Sequence, residues 1–73
     1  MLLTPIASNM TEIETDDARI LFSYRTPVAA FVFGEGLVRT EKWWSVTRSR
    51  QINKWLDGGT AKEVPQTYLD KLV

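Results

Sequence analysis

Polar and apolar residues alternate along the first half of the chain, between residues 11 and 43. Alternation at every second position is typical of strands that bury one face and expose the other. Turn residues divide this region into four stretches, so the sequence predicts strands over residues 11–15, 19–25, 29–33 and 37–43. We expect them to form a meander of three to four antiparallel strands, because short connections join antiparallel neighbours.

Residues that favour tight turns separate the predicted strands. Asp16-Asp17 supplies the first turn, and Thr26-Pro27 reverses or bends the chain after the second strand. The segment 34–36, Gly-Glu-Gly, supplies a hairpin loop, because glycine readily adopts the positive φ that a tight reversal needs. This loop pairs the third and fourth strands.

After residue 44 the apolar residues recur at helical spacing. The apolar face of the predicted helix consists of Ile52, Trp55 and Leu56. Either Ser45 or Thr47 can cap the amino end, because a hydroxyl oxygen accepts a hydrogen bond from a free backbone N–H group. The helix ends at Gly58-Gly59.

A second helix is predicted to begin at Pro65, since proline is favoured at the first helical position. Its buried residues are Tyr68, Leu69 and Leu72. Strands followed by helices indicate an α+β fold, with one or two helices packed on one face of the small antiparallel sheet.

The chain has 73 residues, which is enough for one domain. We expect an N-terminal extension over residues 1–10 and a single α+β domain over residues 11–73. The chain contains no cysteine, so disulfides cannot stabilise so small a core. Association of two copies is the remaining ordinary source of stability, and the sequence therefore predicts a homodimer.

Enzyme chemistry is not expected, because the chain contains neither histidine nor cysteine. A Ser45–Lys54 dyad is interpreted as a capping serine beside a solvated lysine. The acidic residues of 12–17 are interpreted as solvated charges rather than a Mg²⁺ or Ca²⁺ site. No metal or other cofactor is predicted. We expect no membrane partner and a cytoplasmic location.

Positive and negative residues are unevenly distributed along this formally neutral chain. Residues 1–38 carry a net charge of −3 (two bases, five acids), residues 39–55 carry +4 (five bases, one acid) and residues 56–73 carry −1 (two bases, three acids). All three tryptophans lie in residues 39–55, which we call the basic segment. A cationic, aromatic surface suits phosphates, nucleobases or the acidic face of a protein partner, and it does not distinguish among them. The candidate contact residues are Arg39, Lys42, Trp43, Ser45, Thr47, Arg48, Arg50, Asn53 and Lys54.

Within the basic segment, Arg50 and Lys54 lie opposite the apolar helical stripe and should face solvent or ligand. Arg48 lies in the first helical turn, where a cation opposes the helix dipole unless an anion binds between them. Trp43 and Trp44 are adjacent on a predicted strand, so we expect one ring in the core and the other partly exposed.

The chain resembles a family of short uncharacterised proteins encoded by bacteriophages, archaea and bacterial mobile elements. The resemblance lies in residues 21–29 together with Arg39, Trp44-Ser45, Thr47 and residues 50–53, Arg-Gln-Ile-Asn. The chain departs from the family pattern at Arg48, where the family usually has threonine, and at Gln51, where it usually has histidine. The resemblance implies a phage or mobile-element origin and a small α+β fold. For a phage-encoded protein, the expected cytoplasmic location is the cytoplasm of the host cell. It brings no established activity.

Two functions remain open at this point, both of them non-enzymatic. The first is binding of nucleic acid, a nucleotide or another anionic ligand through the basic segment. The second is a protein-interaction module, either a homodimer or an inhibitor of a host protein, that uses the sheet and the tryptophan face. Salt distinguishes them, because phosphate binding weakens steeply as salt rises.

Overall fold

The computed structural model describes residues 2–7 and 10–72, and it has the predicted α+β class. Within these residues, six strands and two helices follow one another along the chain. The strands are β1 (Leu2–Ala7), β2 (Met10–Glu14), β3 (Ala18–Ser23), β4 (Thr26–Val32), β5 (Gly36–Thr40) and β6 (Lys62–Val64). The helices are α1 (Val46–Leu56), between β5 and β6, and α2 (Gln66–Asp70), after β6.

The described strands form one sheet in the order β1-β2-β3-β4-β5-β6. Neighbours from β1 to β5 are antiparallel, whereas β6 lies parallel to β5. The parallel pair is possible because α1 carries the chain back across the sheet between them. The four predicted strands correspond to β2–β5, and β1 and β6 extend the sheet at its two edges.

Strand β1 lies within residues 1–10, which were predicted to form an N-terminal extension. Leu2–Ala7 pairs with β2, with Leu3 opposite Ile13 and a register shift between Pro5 and Ala7. Proline is tolerated in edge strands, where a missing N–H group breaks no ladder between two neighbours. The sheet therefore continues across the predicted boundary at residue 10.

The turn between β3 and β4 does not lie at Thr26-Pro27, as predicted, because both residues belong to β4. The chain reverses at Tyr24-Arg25, with Tyr24 at a φ of 60°. Residues other than glycine, asparagine and aspartate rarely adopt this conformation. Pro27 lies next to a register shift opposite Leu21 and Phe22, which is where proline is accepted within a sheet.

Strand β5 ends at Thr40, three residues before the predicted end. The Thr40 hydroxyl accepts a hydrogen bond from the backbone N–H of Lys42, at 3.1 Å, and this local bond turns the chain out of the sheet. Trp43 and Trp44 consequently lie in the connection to α1 rather than on a strand. Their predicted placement on opposite faces of a strand is wrong for this reason.

The two helices pack on opposite faces of the sheet, and the prediction that they share one face is wrong. Ile52 of α1 packs in a cluster with Leu21 and Ala29, whereas Leu69 of α2 packs in a cluster with Ile20. Adjacent strand residues point to opposite faces, so Ile20 and Leu21 direct the helices to different sides. We call these sides the α1 face and the α2 face.

Helix α2 is short, and tertiary contacts fix its position. Leu69 is fully buried, and Tyr68 and Leu72 are partly buried against the same cluster, as predicted. The Tyr68 hydroxyl donates a hydrogen bond of 2.6 Å to Glu35 in the β4–β5 turn, and this bond is the main cause that raises the pKa of Tyr68 above its ordinary value. No helix in the described part of the chain is long and apolar enough to cross a membrane.

Replacing Leu69 with alanine tests whether this contact holds α2 on the sheet. We expect Leu69→Ala to lower the free energy of unfolding by about 2 to 5 kcal/mol, because a fully buried leucine leaves a cavity. The matched control is Thr67→Ala on the exposed side of α2, with an expected change within about 0.5 kcal/mol. Urea unfolding followed by circular dichroism measures both, and equal losses in the two variants would contradict the packing described here.

Candidate functional site

The candidate site lies at the corner where β5 ends and α1 begins. A small pocket of about 120 Å³ opens there, between the end of β5, the connection and the first turns of α1. Four of the predicted contact residues line it, and we call this group the basic corner: Arg39, Lys42, Trp43 and Arg48. The remaining lining residues are Thr40, Glu41, Trp44, Ser49, Ile52 and Glu63.

Two cations of the basic corner lie over the ring of Trp44. The Lys42 Nζ atom is 4.0 Å from the ring centroid, and the Arg48 guanidinium carbon is 4.8 Å from it. The Arg48 group also lies 5.0 Å from the ring centroid of Tyr24. Attraction between a cation and a ring face positions these side chains without neutralising them. These ring contacts therefore leave both positive charges without a carboxylate partner in the described residues.

Trp44 itself is anchored from the other side of the corner. Its indole N–H donates a hydrogen bond of 3.2 Å to the side-chain oxygen of Gln66, at the start of α2. The same Gln66 side chain donates to the backbone oxygen of Pro27 at 2.7 Å and to Asp70 at 3.1 Å. Trp44 is half-buried against the α1-face cluster. These bonds make the ring a fixed support for Lys42 and Arg48.

Trp43 points away from the protein. Its side chain is 70% exposed, the largest value among the exposed large hydrophobic residues of the described chain. Exposure of an indole ring to water is unfavourable in free energy, and exposed aromatic side chains are typical of contact surfaces. Trp43 lines the same pocket as the two cations that Trp44 supports.

The cations of the basic segment are not paired with carboxylates in the described residues. The one ion pair found there joins Arg19 to Glu14, at 3.5 Å, far from this corner in sequence. Arg39 instead donates a hydrogen bond of 3.1 Å to the side-chain oxygen of Asn53. Glu63 also lines the pocket and lowers the local positive potential without a direct contact to these cations. The corner carries a modest positive charge.

The other predicted contact residues have different roles or positions. Ser45 is the N-cap of α1, and its hydroxyl accepts a hydrogen bond of 3.1 Å from the backbone N–H of Arg48. Asn53 holds Arg39 across the corner. Thr47, Arg50 and Lys54 are exposed on α1 and do not line the pocket. The structure therefore brings together four of the nine predicted residues and uses two more as supports.

Helix α1 is tied to the sheet by a buried polar contact beneath the corner. The Ser23 hydroxyl, at the end of β3, donates a hydrogen bond to the side-chain oxygen of Gln51. Ser23 is fully buried, so this bond satisfies a group that would otherwise lack a partner in the core. The contact fixes α1 against the turn that carries Tyr24.

A sequence model of one protein family matches residues 1–71. The chain belongs to DUF8033, a family of unknown function. Membership confirms the resemblance to a family without established activity, while the phage or mobile-element origin stays a prediction. No curated protein and no solved structure matches the DUF8033 chain.

Three residues at the candidate site of this DUF8033 chain were not predicted as contact residues: Tyr24, Trp44 and Gln66. Tyr24 and Trp44 belong to the stretches that carry the family resemblance, and that pattern was the available signal. Nothing in sequence spacing links Gln66 to the basic segment, because the contact between Trp44 and Gln66 joins residues 22 positions apart.

Gln51 occupies the position at which the family pattern described above usually has histidine. We expect Gln51→Ala to lower the free energy of unfolding of the DUF8033 chain by about 1 to 3 kcal/mol, because it leaves the buried Ser23 hydroxyl unpaired. Gln51→His should lose less, since an imidazole nitrogen can accept the same hydrogen bond.

The double variant Ser23→Ala, Gln51→Ala separates this bond from general packing. Removing both partners should recover part of the loss caused by Gln51→Ala, because no unpaired hydroxyl remains. Urea unfolding of the parent, both single variants and the double variant gives the coupling free energy. Strictly additive losses would show that the two side chains act independently.

Proposed function

We propose that this protein is a non-enzymatic binding protein that contacts single-stranded nucleic acid through the basic corner. The observation that carries the proposal is the exposed Trp43 ring in the same pocket lining as Lys42 and Arg48, whose charges are not paired with carboxylates in the described residues. Arg39, held by Asn53, adds a third cation to the same pocket.

The chemistry of the corner suits a ligand that combines a flat base with phosphate. Stacking of a base on an exposed aromatic ring is worth about 1 to 3 kcal/mol and requires no base-specific hydrogen bond. Lysine and arginine beside the ring supply charge for the phosphates that flank a stacked base. A free anion without a base would leave the Trp43 ring unused.

A short single strand fits this surface better than a duplex. Bases in a duplex are already stacked on one another, so an indole ring reaches them only after they separate. Arg50 and Lys54 are exposed on α1 but do not line the pocket, so the corner offers three cations. Glu41 and Glu63 also line it and oppose a long run of phosphates.

Substitutions at the corner test this proposal directly. We expect Trp43→Ala to weaken binding of a short fluorescein-labelled single-stranded oligonucleotide by about 5- to 150-fold, the loss of one stacking contact. Trp43→Phe should retain part of the affinity, because a smaller ring still stacks. For the parent, the log-log slope of affinity against salt should be about −2, since about three phosphates are neutralised. Fluorescence anisotropy measures both quantities.

Charge-matched controls show whether the position of the cations matters. Arg48→Ala should reduce affinity and make the salt slope shallower by about 0.7. Lys62→Ala and Lys71→Ala remove the same charge from exposed positions outside the corner and should change little. If Arg50→Ala with Lys54→Ala abolishes binding while Trp43→Ala does not, the contact surface is the exposed side of α1 and the basic corner is not the site.

Self-association through the sheet is a second candidate function, supported by an apolar surface on the α2 face. Helix α2 packs on β4 and β5, and beyond it a shallow pocket of about 240 Å³ is lined partly by apolar residues. Leu3 in β1 is 60% exposed there, next to Ile13 and Phe22. An apolar patch rimmed by polar residues is typical of an interaction surface.

Light scattering across a range of protein concentrations tests this second candidate. If the α2 face joins two copies, the parent should have the mass of a dimer and Leu3→Glu should have the mass of a monomer, because the new charge would be buried at the interface. Val46→Glu, at an apolar position that is 57% exposed outside this patch, is the matched control and should remain dimeric. A monomeric parent at all concentrations would exclude this function.

A further inference from the structure

A second pocket lies on the α1 face of the sheet, away from the basic corner. It has a volume of about 230 Å³ and is lined by Glu12, Arg19, Phe31, Leu37 and Trp55. It shares no lining residue with the basic corner. Two aromatic side chains and one carboxylate therefore surround the same space, large enough for a small organic ligand.

The carboxylate of Glu12 is held in position at this pocket. The indole N–H of Trp55 donates a hydrogen bond of 2.9 Å to its Oε1 atom, joining β2 to helix α1 across 43 residues of sequence. Both side chains are half-buried. The bond orients the carboxylate, because an indole N–H is a donor with one fixed direction.

Two of the residues that line the pocket are charged, Glu12 and Arg19, and they have opposite signs. Arg19 also forms an ion pair of 3.5 Å with Glu14 on the neighbouring strand, so the three charges of Glu12, Glu14 and Arg19 sum to one negative charge. The remaining lining residues, Phe31, Leu37 and Trp55, carry none. Because Arg19 is already paired with Glu14, Glu12 is the carboxylate available to a ligand cation.

The aromatic rings that line the pocket also favour a positively charged ligand. Phe31 is 40% exposed, and Trp55 is half-buried against the α1-face cluster, so ring surface borders the pocket. The face of an aromatic ring carries negative potential and attracts cations, and alkylammonium groups are commonly bound by aromatic rings for this reason. A carboxylate beside such rings adds direct attraction.

We propose that this pocket, formed by Glu12, Phe31 and Trp55, binds the alkylammonium group of a small organic cation. The methyl or methylene groups contact the rings and Leu37, and the positive charge faces the Glu12 carboxylate. The proposal is independent of nucleic-acid binding at the basic corner, because the two pockets have separate lining residues.

Titration with choline, followed by the indole N–H signals in proton–nitrogen correlation spectra, tests this site. The Trp55 signal, assigned with Trp55→Phe, should shift in a saturable way, because its N–H group bonds to the carboxylate that the cation approaches. Neohexanol, the neutral alcohol in which carbon replaces the quaternary nitrogen of choline, should shift it at least about tenfold less at equal concentration. Butylamine, a primary alkylammonium ion, extends the test to lysine-like groups.

Two substitutions remove the proposed contacts while preserving the surrounding fold. Glu12→Gln keeps an oxygen that can accept the Trp55 hydrogen bond but removes the charge, and it should weaken choline affinity by about tenfold or more. Phe31→Leu keeps an apolar side chain but removes the ring, and it should weaken affinity several-fold. Asp16→Asn removes the same charge at an exposed position outside this pocket and should have no effect.

The proposal is overturned if neither choline nor butylamine shifts the Trp55 signal. It is also overturned if neohexanol binds as tightly as choline, because the pocket would then recognise shape and not charge. Retained choline affinity in Glu12→Gln, with an unchanged indole spectrum in the free protein, would place the bound cation elsewhere. None of these outcomes depends on whether the basic corner binds an oligonucleotide.

Discussion

The two central strands, β3 and β4, are buried on both faces along most of their length, and the rest of the chain covers them. Ile20, Leu21, Ala29 and Ala30 are each fully buried. Adjacent residues on a strand point to opposite sides, so each side of this strand pair must receive its own cover. In a chain of 73 residues, each face receives one helix. The placement of α1 and α2 follows from burial of the sheet rather than from helix propensity.

This arrangement also determines where polar side chains collect. The chain must leave β5 and cross to the α1 face within five residues, 41–45, and this connection brings Trp43 and Lys42 to the surface. Trp44 is anchored by Gln66, which also binds the Pro27 backbone in β4. One glutamine therefore links the corner, the central sheet and α2. Tyr24 keeps an unfavourable backbone conformation in the adjoining turn, and its ring packs against Arg48.

Sequence patterns predicted the structural features that depend on residues close together in the sequence. The hairpin near residues 34–36 and the burial of Leu69 rest on residues that are close in sequence, and both are confirmed, although Gly36 itself begins β5. Of the two predicted capping residues, Ser45 and Thr47, Ser45 is the N-cap. Strand β6 was missed because three residues cannot display a period of two, and its partner β5 is 24 positions away in the register. The distribution of helices over two faces was missed because a buried central strand shows a continuous apolar run instead of alternation.

At the candidate site, the clustering of charge in the sequence indicated the basic segment. It could not distinguish the residues that line the pocket from those that only lie in the same segment. Arg50 and Lys54 belong to the basic segment and lie outside the pocket, since they occupy the exposed side of α1. The pocket beside Glu12 had no sequence signal at all. It exists because β2 and the last turn of α1 meet in the folded chain, which only the tertiary structure places together.

The two edges of the sheet affect how copies of this protein can meet. Edge strands with free backbone groups invite sheet-to-sheet pairing and aggregation. Here one edge, β6, is three residues long with exposed Lys62 and Glu63, and the other, β1, contains Pro5, which lacks an N–H group. Neither edge offers a long uninterrupted ladder of donors and acceptors. Addition of strands to form a continuous intermolecular sheet is therefore disfavoured at both ends, and the chain can expose apolar side chains on its faces with little tendency to form fibres.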